Sequence, residues 1–247
     1  MGGSKMVKIG NLYMLDVKGP GTNPYNVVLI DNNGELIMVD AGLPSLTDCL
    51  KKEIEACGFD ISKVEKIIIT HQDLDHVGSL KDIKVINPNV EIISHETEAA
   101  YIDWSKEPVK LTQRKAGYGQ MSDEEKEEFD NFYKTWEGCK IPVDKVTGDN
   151  ATVGKGDNIL LIHIPGHTPG HVCVYVKSEK ALITGDAIRG ENGTLLGPNP
   201  IFTQYMDMAY ESLKKLHNLD IEKILCYHGG LVDKDALKQL KELKYEA

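Results

Sequence analysis

The segment Thr70-His71-Gln72-Asp73-Leu74-Asp75-His76-Val77-Gly78 constrains this chain more than any other. Four of the six side chains from His71 to His76 can ligate a metal ion, and they follow Val64–Thr70, a β-branched run that reads as a strand. Loops directly after strands are where side chains are presented to a site. Three more candidates lie downstream. His167 sits in Pro165-Gly166-His167-Thr168-Pro169-Gly170-His171, Asp186 in Thr184-Gly185-Asp186-Ala187, and His228 in Cys226-Tyr227-His228-Gly229-Gly230. Each follows an expected strand end and has glycine nearby, which lets a loop turn sharply and carry a ligand inward. Seven imidazoles and carboxylates at loop ends, all on one side of the expected strands, point to a metal site. Mixed nitrogen and oxygen donors suit zinc, and also manganese or iron. No cysteine adjoins the His71–His76 cluster, which argues against a purely structural zinc.

The rest of the pattern is strands then helix, twice over. Lys8–Leu15, Tyr25–Ile30 and Leu36–Asp40 read as strands, with Asp31-Asn32-Asn33-Gly34 as a hairpin turn. Ser45 with Asp48 reads as a capping box, opening a helix with Leu46, Leu50, Ile54 and Cys57 on one side and stopped by Gly58. A short helix over Gly78–Ile83 and a strand over Val90–Ser94 follow. In the second half Ile159–Ile164, Val172–Val176, Ala181–Thr184 and Ile221–Cys226 read as strands. Tyr205–His217, with Met208, Leu213 and Leu216 apolar, and Asp233–Leu243 read as helices. Residues 97–146 stand apart as helical, with Ser122 capping an acidic run. The stretch 101–140 holds seven of the sixteen aromatics, including both tryptophans, and reads as the core of a helical insertion, part of which can line a substrate pocket. The expectation is an α/β fold of two sheets packed face to face with helices outside.

Composition narrows the function. The formal net charge of −10 is unsuited to general nucleic-acid binding, which needs clustered lysine and arginine. No apolar run approaches the roughly 20 residues that span a bilayer. The five cysteines have no C-x-x-C pair, and no apolar secretory segment opens the sequence, so reduced thiols in a cytoplasm are expected. Residues 1–5, Met-Gly-Gly-Ser-Lys, read as an appended leader ahead of Met6.

With these motifs in hand, the chain resembles the metallo-β-lactamase superfamily, close in layout to glyoxalase II and the quorum-quenching lactonases. Five motifs carry the resemblance in order: Asp40 in Met38-Val39-Asp40-Ala41-Gly42, the His71–His76 cluster, His167, Asp186 and His228. The resemblance implies an αββα sandwich, one domain over 6–247 with the helical insertion at 97–146. It implies a two-metal site in which His71, Asp73 and His167 hold one ion, Asp75, His76 and His228 hold the other, and Asp186 bridges. Zinc is the first expectation, with manganese or iron as alternatives. Asp40 and His171 are expected behind the ligands, fixing their orientation. His95, His163 and His217 fit no motif.

One residue departs from the family pattern, His-x-His-x-Asp-His: Asp73 stands where the second histidine is usual. The extra carboxylate removes one net positive charge from the site. It is expected to make the first metal a weaker Lewis acid with a taste for harder ions. Two other outcomes stay open: Asp73 replaces one donor by another with zinc bound as usual, or Asp73 is not a ligand. The implied activity is metal-assisted hydrolysis, in which a bridging hydroxide attacks an ester, thioester or lactone of a small molecule and Asp75 handles a proton. Arg189 stands three residues after Asp186, where lactonases of this type carry tyrosine; with Tyr227 it is a candidate for substrate contact. The alternatives are a β-lactam or phosphodiester hydrolase, or a metal-containing sensor with little activity. Neither nucleic acid nor membrane is expected as a partner, and the sequence does not state an oligomeric state.

Overall fold

Two sheets facing each other at their apolar sides form the centre of the structure, a computed structural model that describes residues 6–19 and 22–244. The expectation for residues 1–5 lies outside the described residues. The first sheet has seven strands in sequence order: β1 (Val7–Ile9), β2 (Leu12–Met14), β3 (Val28–Asn32), β4 (Glu35–Val39), β5 (Lys66–Ile69), β6 (Glu91–His95) and β7 (Lys145–Thr147). The first four pair antiparallel, and β4 through β7 pair parallel. The second sheet is built from β8 (Ala151–Val153), β9 (Ile159–His163), β10 (Val172–Val176), β11 (Ala181–Ile183), β14 (Lys223–Cys226) and β15 (Gly230–Val232). Between β11 and β14 the chain forms a separate hairpin, β12 (Arg189–Glu191) and β13 (Thr194–Leu196).

Period-2 alternation assigns each side chain to a layer. Ile37 and Val39 of β4, Ile68 of β5 and Ile93 of β6 face Leu161, Val174, Ile183 and Leu225 of the other sheet. Leu36, Met38, Ile67, Ile69 and Ile92 face the opposite way, onto Leu50 and Ile54 of α1 (Thr47–Ala56) and onto Leu80 and Ile83. On the second sheet Cys173, Tyr175, Leu182 and Ile224 face outward onto Leu213, Leu216 and Leu240. The result is the expected αββα sandwich. Strands buried on both faces explain the near-continuous apolar runs such as Lys66-Ile67-Ile68-Ile69.

The remaining helices are α2 (Leu74–Val77), α3 (Leu80–Ile86), α4 (Glu96–Ile102), α5 (Val109–Lys115), α6 (Asp123–Gly138), α7 (Met206–Leu213) and α8 (Ala236–Glu242). Helices α4 to α6 fill most of residues 97–146. Phe129 and Trp136 of α6 pack with Leu74, Leu111 and Cys139 as a separate apolar cluster. Ser122 caps α6 in a complete capping box with Glu125.

Four local expectations are corrected. Lys8–Leu15 is a hairpin rather than one strand, because Gly10 at φ 54° turns the chain back on itself. The Ser45–Asp48 capping box does not form: Pro44–Leu46 is a 3₁₀ turn, and α1 begins behind Leu46 with no side-chain cap. Met208 is half exposed, since Ala209 and Leu213 take the buried face of α7. Lys145 and Val146, at the end of the expected helical stretch, instead belong to β7, an edge strand of the first sheet.

The intersheet layer gives a direct test. Ile68→Ala, at a fully buried position, should lower unfolding free energy by about 2–5 kcal/mol in denaturant titration. Ile201→Ala, at a residue 80% exposed, should change it by less than about 0.5 kcal/mol.

Candidate metal centre

Parallel pairing brings the motif loops to one edge. Val39 pairs with Ile68 and Ile183 with Leu225, so Asp40, the His71–His76 segment, Asp186 and His228 all leave the sheets at the same end. The loop between β9 and β10 brings His167 there, and Val172 N–H donates to the Thr70 carbonyl at 3.0 Å, tying the two sheets at this edge. Gly185 is required by the approach: it adopts φ 50°, and a Cβ there would lie 2.7 Å from His171 Nε2 and 2.8 Å from Thr70 Oγ1.

Two groups of side chains result: His71, Asp73, His167 and Asp186, and beside them Asp75, His76 and His228. In the first, Asp73 Oδ2 lies 3.0 Å from both His71 Nε2 and His167 Nε2. In the second, His228 Nε2 lies 3.3 Å from Asp75 Oδ2. Asp186 faces both: Oδ1 is 3.3 Å from His76 Nε2 and from His228 Nε2, and Oδ2 is 3.5 Å from His167 Nε2. Donors bonded at about 2.1 Å to one ion stand roughly 3.0–3.4 Å apart, so these spacings suit shared cations.

The imidazoles are oriented from behind. His76 Nδ1 is 2.9 Å from Asp40 Oδ2, and Asp40 Oδ1 accepts Thr70 N–H at 2.9 Å. A carboxylate can only accept here, so Nδ1 of His76 carries a proton and Nε2 is the atom turned to the centre. His71 Nδ1 lies 3.0 Å from Thr70 Oγ1, and His167 Nδ1 lies 3.3 Å from Thr203 Oγ1. Asp186 N–H donates to His171 Nε2 at 3.1 Å, which fixes His171 as the neutral Nδ1–H tautomer. Buried His76 Nε2, Asp73 Oδ1 and Asp186 Oδ1 have no hydrogen-bond partner. Buried side chains of both groups thus keep polar atoms that the protein itself leaves unpartnered, as sites for divalent cations would.

Electrostatics agree. Burial, with His76 nearby, brings the His71 imidazole down to about 4, so it is neutral at physiological pH. Burial and the neighbouring His71 and His167 hold His171 well below the usual range. Burial would lower His76 too, but Asp40, Asp75 and Asp186 outweigh it and raise His76 well above 6.5. The same carboxylates would draw a metal cation to that nitrogen.

A family model described as the metallo-beta-lactamase superfamily matches residues 20–228. The chain belongs to the metallo-β-lactamase superfamily. Among curated relatives of this superfamily member, a beta-lactamase-like protein 2 homolog from Caenorhabditis elegans is 28% identical over 87% of the chain and 58% of its own length. A probable metallo-hydrolase from Bacillus subtilis is 25% identical over 90% of the chain and 86% of its own. A cytoplasmic hydroxyacylglutathione hydrolase from Arabidopsis thaliana is 26% identical over 76% of the chain and 56% of its own. The chain thus spans less than two thirds of the worm and plant relatives. In fold it is similar to a metallo-beta-lactamase family protein from Thermus thermophilus, with TM-score 0.73 and 22% identity over 95% of this chain and 78% of that one.

In this metallo-β-lactamase fold the groups open into a cavity of about 380 Å³ walled by Tyr25, Phe132, Trp136 and Phe202, with Asp75 and Asp186 on its floor. The aromatic segment therefore does line the cavity. Arg189 and Tyr227 do not. Arg189 donates to the Gly197 carbonyl at 3.3 Å and lines a neighbouring cavity that shares only His228 with the first. Tyr227 is buried against His76, and its hydroxyl donates to the Asp75 carbonyl. That bond ties the cluster loop to the chain just after β14. His95 and His163 stack on each other at 4.1 Å, away from both groups.

Two residues had no signal in the sequence. Buried Glu98 of α4 accepts Gln72 N–H at 2.9 Å and Gly170 N–H at 2.6 Å, clamping the loops that carry His71 and His167. Burial pushes its carboxyl above the usual range. Lys110 of α5 places its ammonium against Asp73. Single acidic or basic residues on polar helices read as solvated faces, and only spatial proximity reveals them.

Asp40→Asn should lower metal affinity by roughly 10–100-fold in chelator competition, because it loosens the His76 tautomer. The stability that His171 contributes is present above its unfolded value near 6.5 and is lost as pH falls below it. His71 acts in the same direction and His76 in the opposite one. The thermal midpoint of the metal-free protein should therefore fall less from pH 7 to pH 5 in His171→Gln than in the parent.

Proposed function

We propose that the chain is a metal-dependent hydrolase that cleaves an ester, thioester or lactone bond of a small molecule. The observation that carries this is Asp186: its two oxygens face two separate donor groups at the floor of an aromatic-walled cavity. On this reading His71, Asp73 and His167 would hold one divalent ion and Asp75, His76 and His228 a second, with Asp186 facing both groups. Zinc suits the set, and manganese or iron suits its oxygen-rich half. Bound ions would lower the pKa of coordinated water and polarise a scissile carbonyl.

The chain's own residues supply the rest. Asp75 reaches the cavity, and its side chain is about one quarter exposed. Burial would raise its carboxyl, but His76 and His228 hold it below the usual value, so it is ionised and able to take a proton. Tyr25, Phe132, Trp136 and Phe202 offer apolar surface for an acyl or alcohol portion and exclude water from it. A hydroxyacylglutathione is a thioester, so the name of the plant relative supports that bond type. The free cysteines, three of them buried, suit a reducing cytoplasm. No helix among the described residues is long and apolar enough to cross a membrane.

The test is a hydrolysis screen of zinc-, manganese- and iron-loaded protein against a thioester, a lactone, an aryl ester, a β-lactam and a phosphodiester. Turnover of one of the first three is expected, falling by at least about 10²-fold in His71→Ala and Asp186→Asn. Turnover of the β-lactam or the phosphodiester alone would replace the bond assignment. Tight binding of small molecules without turnover under every metal would replace the hydrolase by a sensor.

A further inference from the structure

Lys110 is the only lysine or arginine that lines the cavity among the described residues. It rises from α5, 37 residues along the chain from Asp73. Its ammonium donates to Asp73 Oδ2 and lies 3.2 Å from His167 Nε2. These are two of the donor atoms of the first group. The second group has no such neighbour: the ion pairs of Asp75, His76 and His228 among the described residues involve only histidine and aspartate.

An imidazole nitrogen has one lone pair in the ring plane. In the metal-free protein His167 Nε2 either accepts an N–H from Lys110 or, in the other tautomer, donates to Asp73 Oδ2, and in neither case is its lone pair free to bind a metal ion. Asp73 Oδ2 is similarly committed, since His71, His167 and Lys110 all converge on it. Charge points the same way. Asp73 adds a carboxylate to the first group, and the ammonium of Lys110 answers it within that group.

We propose that Lys110 is a built-in competitor for the metal ion of the first group, so that the two groups load unequally, with Asp75, His76 and His228 filled first and held more tightly. This rests on the metal-site reading given above. Binding at the first group then requires the ammonium to withdraw. It has somewhere to go: Lys110 lies 5.3 Å from the ring centroid of Phe202 and also lines an adjoining cavity of about 470 Å³ beside Gln113 and Arg114. The face of an aromatic ring is a favourable place for a displaced ammonium.

The experiment is stepwise zinc and manganese binding to the full chain by competition with a chromophoric chelator, with metal content read by mass spectrometry after dialysis. In the parent, two binding steps should differ by at least about tenfold. Lys110→Met should tighten the weaker step by about tenfold or more and narrow the gap, whereas Lys110→Arg, which keeps the charge, should leave it wide. His228→Ala should remove the tight step and His167→Ala the weak one. Circular dichroism checks folding, and Lys110→Gln replaces Lys110→Met if that variant does not fold. Two equal steps in the parent, unchanged in the lysine variants, would overturn the competition while leaving the metal site intact. No retained metal in parent or variants would overturn both.

Discussion

The buried carboxylate of Asp40 is the interaction on which the centre depends. It sits at the end of β4 in a left-handed conformation, φ 63°, with its own N–H donating to the Ile68 carbonyl of β5. One oxygen holds the start of the cluster loop at Thr70, and the other holds the ring of His76 at the loop's end. A single side chain thereby sets the loop's span and the direction of one donor atom. The neighbouring Thr70 hydroxyl, which Asp40 also accepts, reaches His71. Removing the carboxylate would leave buried donors without partners, which is why so short a residue has so large a reach.

Around this anchor the two donor groups differ in how their negative charge is met. The group of Asp75, His76 and His228 has only imidazoles to answer its carboxylates, and His76 is driven toward the charged form. The group of His71, Asp73 and His167 includes a lysine from a distant helix, and there His71 is driven toward the neutral form. Despite complete burial, Lys110 and His71 keep the Asp73 carboxyl well below the usual range. The two groups thus have unequal electrostatics: burial and the motif residues set the difference between His71 and His76, and Lys110, from outside the five motifs, adds a positive charge to one group.

Legibility in the sequence followed the same division. The donors were visible because each stands at the end of a β-branched run with glycine close by, and the structure brings all seven together. The sandwich was visible because strands such as β4 and β5 are apolar at every second position on both faces. What escaped were long-range polar contacts. Glu98 and Lys110 look like ordinary residues of polar helices, and neither has a local neighbour that marks it as inward-facing. Capping was read correctly at Ser122, where an acidic first turn follows, and wrongly at Ser45, where Pro44 starts a 3₁₀ turn and moves the helix start past the serine. Arg189 was placed by its offset from Asp186, but offset does not give direction, and the β12–β13 hairpin turns it into another cavity.

Glu98 also bears on how the pocket could change over time or by design. The aromatic helices look like a removable cap, an easy unit to exchange when a different substrate must be fitted. Yet the first of them carries the strut that joins the loops of His71 and His167. An exchange that began at residue 97 would alter the shape of the pocket and loosen its floor in the same step. One that began beyond Ile102, where α4 ends, would keep the strut while exchanging the walls and, with α5, the Lys110 contact to Asp73. The boundary between scaffold and specificity in this protein therefore lies inside the aromatic segment, one helix past its apparent edge.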